Sequence, residues 1–313
     1  KSKKADYNFG YLDLREIKDK TLLSSIKEYE FFSKSSLLET YSLVFGVTKE
    51  HSNIINKINN QSNKFSDIID VASYGIGSGG DKIFKVSKGF SIELSLENNI
   101  LFPVFSGSNI LKYQIKYEDE VIIYTTKDID INFYPNTLNY LTPFKNKLSQ
   151  KRETIKGTLP WWCLHWPRNK ELYLDEKLVL RQTGDKLIGA IDYNSFFVMD
   201  SVMVIKFKNS FNINLKYALA LLNSTLFAFL YDNIAKEKGR AFAQVKPQNI
   251  KQLPIKLISP NEQKPFINLV DKVQLAVQNN LSADILALER QIDQLVYQLY
   301  DLTEEEIKII ENN

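Results

Sequence analysis

The hydrophobic positions of the chain fall into distinct regimes. Up to about residue 62 the sequence is polar with a helical rhythm. Leu22, Leu23, Ile26 and Tyr29 are spaced for one face, and Ile54, Ile55 and Ile58 repeat the spacing before Asn59-Asn60-Gln61-Ser62-Asn63 breaks it. From residue 65 to about 133, short β-rich runs such as Phe90–Leu96 and Val121–Thr125 are separated by Gly, Asn and Lys-Tyr turns. Beyond them the pattern predicts a helix over Phe144–Lys156 and strands over Leu178–Arg181 and Val202–Phe207.

Leu215–Leu230 is apolar nearly all round, which at this length predicts a buried helix rather than a membrane span. From residue 259 the pattern is helical and well punctuated. Ser259-Pro260-Asn261-Glu262 is a capping box with proline at the first helical position, followed by an apolar stripe of Phe266, Leu269, Val270, Val273 and Val277. Asn279-Asn280 ends that helix. Ile285, Leu288, Ile292, Leu295 and Leu299 then alternate spacings of three and four, as in a short antiparallel helical hairpin. Thr303-Glu304-Glu305-Glu306 caps a last short helix. The order predicts an α+β fold: a helical connector over 1–62, a mainly β core over 63–258 and a C-terminal helical hairpin over 259–313.

The 313 residues are 44% hydrophobic and 25% charged, as in a globular protein with a substantial core. No apolar h-region follows Lys1, so no signal peptide is expected, and no apolar run reaches the length of a membrane span. A single cysteine, Cys163, excludes an intrachain disulfide framework and fits a reducing cytoplasm. With His51 and His165 it makes no ordinary zinc site, and no metal ligand set is expected. Cys163 and His165 lie two positions apart among tryptophans, a pattern of packing more than of nucleophilic catalysis.

The net charge of +3 says little, but its distribution says more. Lys145, Lys147, Lys151, Arg152 and Lys156 surround one acid, Glu153; Lys236, Lys238, Arg240, Lys246, Lys251 and Lys256 surround another, Glu237. Two such patches suit a polyanion held on one face, or else a solvated surface. Trp161, Trp162 and Trp166, the only tryptophans, lie within six positions and supply rings for stacking or for core. Arg168, Arg181 and Gln182 are of the types that read base edges, arginine on guanine and glutamine on adenine.

Gly75–Gly80 matches G-x-G-x-x-G, but Asp81–Val86 then alternates as a strand does. The helix that would hold a pyrophosphate is therefore not expected, and neither is a dinucleotide site. The glycines fit a turn whose backbone approaches a DNA phosphate, or a plain tight turn. No Walker A loop and no serine–histidine–aspartate set can be assembled, and Asp175-Glu176-Lys177 is too slight to mark a nuclease.

Several blocks in order resemble one family. Gly75–Phe84 is similar to the segment GI-x-TG-x-N-x-x-F of the TaqI-like target-recognition domain, with Ser78 where threonine is usual and Asp81 near the usual asparagine. Phe102–Gly107 with Tyr113 resembles its P-x-x-x-G…Y block. Pro135, Leu138, Tyr140, Leu141, Leu148 and Arg152 resemble P-x-x-L-x-YL…L-x-x-R. Trp162–Arg168 with Glu176–Val179, Ala220–Leu226 and Leu253–Ile255 resemble the blocks that follow.

The resemblance implies the C-terminal specificity region of adenine-N6 DNA methyltransferases, including fused Type IIG restriction-modification enzymes. The chain would then be the target-recognition part of a larger bacterial, cytoplasmic enzyme. Its partners would be double-stranded DNA and a missing N-terminal methyltransferase domain, with no membrane. The Asn/Asp-Pro-Pro-Tyr/Phe motif of the methyltransferase is absent. No catalytic residue and no cofactor is therefore expected in this chain; S-adenosylmethionine, with Mg where a nuclease is fused, would belong to the parent enzyme. Lys145, Lys151, Arg152, Lys238 and Arg240, with Gly77, Ser78 and Gly79, are the expected phosphate contacts. Arg168, Arg181 and Gln182 are the expected base readers. The alternative is a protein-interaction module that docks a separate methyltransferase or nuclease subunit.

Overall fold

The computed structural model describes residues 8–11, 30–33, 49–235 and 243–312. The Leu22–Tyr29 stripe lies outside them. Asn8–Tyr11 and Glu30–Ser33 pair as an antiparallel ribbon, so the stretch before residue 62 is not helical throughout. Phe9, Tyr11, Phe31 and Phe32 are the aromatic types that favour strands. Helix α1 (Lys49–Asn60) follows with Ile54 and Ile58 buried, and ends at the asparagines that the sequence marks.

Two four-stranded sheets form the centre. Sheet I contains β1 (Ile69–Tyr74), β5 (Lys177–Arg181), β6 (Gly189–Asp192) and β8 (Val202–Phe207) in the order β6-β5-β8-β1, all antiparallel. Sheet II contains β2 (Lys85–Ser87), β3 (Leu101–Phe105), β4 (Glu120–Ile123) and β7 (Phe197–Val198) in the order β7-β3-β4-β2, with β7 and β3 parallel.

Sheet I is buried on both faces, which is why β5 and β8 read as unbroken apolar runs rather than as alternating ones. Side chains alternate across a strand, and the two faces feed different cores. Leu178, Leu180, Met203 and Ile205 enter a core shared with the helices; Val179, Val202 and Val204 enter one shared with sheet II. The helical core takes in α1, α2 (Leu215–Asn223), α3 (Thr225–Ala235), α4 (Pro260–Gln278), α5 (Ser282–Leu299) and α6 (Glu304–Glu311). Helices that precede and follow the sheets in sequence thus share the helical core. The fold is α+β, as the pattern of elements predicts.

The capping boxes at Ser259 and Thr303 form as the sequence predicts. Four expectations change. Leu215–Leu230 is two helices with a bend of 68°, broken at Ser224, whose backbone is extended, between Asn223, whose side chain bonds Gly189, and Thr225, which bonds Asp293. No single described helix is long and apolar enough to cross a membrane; this bent pair meets the length and composition test and is packed into the core. Phe90–Leu96 is not a strand: Ser87 Oγ accepts from Phe90 N at 3.2 Å and starts a helix over Lys88–Glu93. Asp81–Phe84 is a helical turn before β2, with Ile83 and Phe84 both buried. Phe144–Lys156 is interrupted at Lys151, whose backbone is extended while its side chain turns inward.

Candidate functional site

One end of sheet I collects residues from five separated stretches. Tyr74, Arg181 and Val202 lie at the ends of β1, β5 and β8 that meet there. The chain leaves β1 through Gly75–Gly80. Gly75 N donates to Val202 O at 3.0 Å and Ile76 N to Val198 O at 2.8 Å. A Cβ on Gly75 would sit 2.2 Å from the Val198 carbonyl oxygen, so no other residue fits. On the other side, Gly77 N donates to Trp166 O at 3.1 Å, Trp166 N returns a bond to Gly77 O at 2.7 Å, and His165 N donates to Ser78 O at 3.1 Å. Asp200 N donates to Ile76 O at 2.9 Å. The turn is thereby stapled between residues 165–166 and 198–200.

These segments enclose a cleft of about 410 Å³, lined by Gly77–Lys82, Lys147, His165, Trp166 and Asp200. Trp166 is 52% exposed, and its ring stacks on His165 with centroids 4.1 Å apart and planes 16° apart. His165 in turn meets the Glu153 carboxylate. Two carboxylates face the cleft as well. Asp81 accepts from the Ser78 hydroxyl, and Asp200 is held above the usual carboxylate range, chiefly by burial and then by the charge of Asp81.

The residues predicted from sequence are placed unevenly. Gly77, Ser78 and Gly79 do line the cleft. The Gly77 N–H, however, is taken by Trp166, and the Ser78 side chain is buried on Asp81 and on Gly80 N. Lys151 is not a surface cation. It is 7% exposed, and its ammonium donates to the carbonyls of Trp161, at 2.9 Å, and of Cys163. That burial pushes its pKa down to about 8. Lys145 lies over the Trp161 ring at 5.7 Å, and Arg152 is exposed with Nε 3.3 Å from Glu153. Arg168 donates from Nε to Gly75 O at 3.1 Å, bracing the start of the turn. Arg181 and Gln182 are half-buried at the sheet end, where the Tyr74 hydroxyl donates to Val245 O at 3.0 Å and Gln182 N to Ser201 O at 2.9 Å. Lys238 and Arg240 lie outside the described residues.

Cys163 is buried with its thiol pushed up to about 12 by the loss of hydration, and His165 turns to Glu153, so the two form no catalytic pair. The glycine turn is no cofactor cradle either, because the helix after it has four residues and its Gly77 amide is engaged.

Sequence reasoning passes over Asp200 and Lys82, and groups Lys147 and Asp81 without singling them out. An isolated aspartate between Met199 and Ser201 carries no spacing signal. Only the folding of 198–202 against the glycine turn brings it to the cleft.

Residues 102–255 match the family described as the TaqI-like C-terminal specificity domain. Over most of the chain the fold is similar to that of the Type IIL restriction-modification enzyme MmeI, solved in complex with DNA. The TM-score is 0.51 at 11% identity, over 76% of this chain and 34% of that one. The chain thus spans about a third of the length of that enzyme. No curated protein sequence matches it.

Proposed function

We propose that this chain is the DNA target-recognition part of a restriction-modification enzyme, of a Type IIG-like kind that methylates adenine at N6. The observation that carries the proposal is the convergence at one end of sheet I. There a glycine turn, an exposed tryptophan, two lysines, Arg181–Gln182 and Asp200 come together on one wall of a fold whose matched family is one of specificity domains. Lysines such as Lys82, Lys147 and Lys145 would hold phosphates and set register, while side chains at the sheet end reach base edges. A duplex would be closed between this wall and a methyltransferase domain upstream, which would hold S-adenosylmethionine and extrude the target adenine, whose amino group is out of reach inside the stack. The parent enzyme would work in the bacterial cytoplasm.

Selection of bound sequences from a randomised duplex pool tests this reading, with the chain alone and then joined to its native upstream region. Enrichment of a motif in either form supports it. No enrichment in either form rejects it.

A second reading, docking of a separate catalytic subunit, is favoured by the C-terminal hairpin. Leu275, Leu281 and Leu286 are exposed around its tip, and Pro265, Leu269, Lys272, Arg290 and Leu295 line a groove between α4 and α5. A protein-only complex that survives high salt would select it, since phosphate binding weakens steeply with salt.

A further inference from the structure

We propose that the cleft floored by Gly77 reads a cytosine of the DNA target, with the Asp200 carboxylate accepting from the exocyclic amino group and the Trp166 ring packing against the base. The proposal rests on the DNA-recognition reading above and assigns the base class and the reading residue within it.

Three features of the cleft lead there. The first is the position of Gly77. A Cβ at this residue would lie 3.1 Å from Trp166 Cε3 and 3.9 Å from Asp200 Oδ2, so the missing side chain is the space between a ring and a carboxylate. The second is the ring itself. Trp166 is half exposed, yet it is fixed by the His165 stack and by the paired backbone bonds to Gly77, so it offers an apolar surface that need not be ordered on binding.

The third is charge. Asp81 and Asp200 both line a cleft that also holds Lys82 and Lys147. A carboxylate repels phosphate, and the group on DNA that matches one is an amino group on a base edge. In the major groove cytosine offers its N4 donor, the usual partner of aspartate or glutamate; adenine and guanine set the N7 acceptor beside their other groups, which a carboxylate opposes. Burial and the charge of Asp81 raise the Asp200 carboxyl above the usual range although Ser201 N already donates to it, and a further donor from a base would relieve that cost. The lysines then fall to the phosphates that flank the base. The volume, about 410 Å³, is that of a small-ligand cleft, roughly 300–1,000 Å³.

The test starts from the motif that the chain selects, alone or with its upstream region. Each cytosine of that motif is replaced by 2-pyrimidinone, which lacks only the amino group, and affinity is measured for wild type and for Asp200→Asn. One position is expected at which the wild type loses about tenfold or more and Asp200→Asn loses nothing further. Asp200→Asn should also drop its preference for cytosine there while keeping the rest of the motif, which shows that it folds. Gly77→Ala, which pushes a methyl between ring and carboxylate, should weaken the same position. If Asp200→Asn keeps every cytosine preference, this assignment is overturned while DNA recognition stands. If no form of the wild type selects a motif, both fall.

Discussion

The ammonium of Lys151 donates to the carbonyl oxygen of Trp161 at 2.9 Å, and so ties the basic segment to the tryptophan segment beneath the cleft. Its charge is spent inside the fold. Lys151→Ala should lower stability by about 1–3 kcal/mol, because two carbonyls lose their donor. DNA affinity should fall only as far as the folded fraction does. The pH dependence has a definite sign. The folded pKa of about 8 lies below the unfolded 10.5, so over that window the unfolded chain binds more protons and stability rises with pH. Urea unfolding of wild type and variant across pH 7–11 checks both points: the rise from this group should be missing in Lys151→Ala.

Gly79 has φ +73°, and a Cβ there would approach Lys151 Cδ to 2.7 Å and His165 Cβ to 3.1 Å. Gly79→Ala therefore combines left-handed backbone strain with a collision against two residues that shape the cleft. A loss of at least about 1 kcal/mol in unfolding free energy is expected. A variant as stable as wild type would show that the turn relaxes.

Cys163 should be inert in the native protein. Its thiol is buried and pushed up to about 12, so almost no thiolate exists at neutral pH. Iodoacetamide at pH 8 should leave it unmodified until denaturant is added, as read by mass spectrometry.

Lys147 lines the cleft and Lys151 does not, although both belong to the same basic run. Lys147→Gln should weaken binding to all sequences alike and reduce the slope of log affinity against log salt by about 0.9, one phosphate contact. Lys151→Ala should leave the slope unchanged. Titrations at several salt concentrations separate the two.

Asn223 accepts from Gly189 N at 2.8 Å and donates to Gly189 O at 3.0 Å, joining α2 to the edge strand β6. Its replacement by Leu would keep the volume and leave the buried Gly189 N–H without a partner, while Gly189 O keeps its bond from Tyr113 N, at a cost of about 1–3 kcal/mol. Thermal unfolding of Asn223→Leu would register the loss, and an unchanged midpoint would show that another partner replaces the amide.

How far the sequence discloses this molecule depends on the range of the interactions involved. Ser259 and Thr303 declare their helices because a cap is satisfied within four residues. β8 is legible because burial on both faces leaves an unbroken apolar run over Val202–Ile205. The single helix expected over Leu215–Leu230 fails because the partners that break it, Gly189 and Asp293, lie far away along the chain. The cleft divides in the same way. Its glycine turn and Trp166 stand out in sequence by residue type. Lys151 and Lys147 do not differ in sequence at all, and only the carbonyls of Trp161 and Cys163 decide that one turns inward. Asp200 is invisible until residues 198–202 are set beside Gly75.

The end of sheet I has a further consequence for how such a protein changes its preference. Trp166, Arg181–Gln182 and Asp200 each reach the sheet end from a separate connection, while the strands behind them are locked into two interiors. The bonds that join these tips are made by backbone groups, so a change of side chain at one tip leaves the bonds of the others in place. On the proposed recognition reading, retargeting would proceed one base pair at a time, each step leaving a folded intermediate.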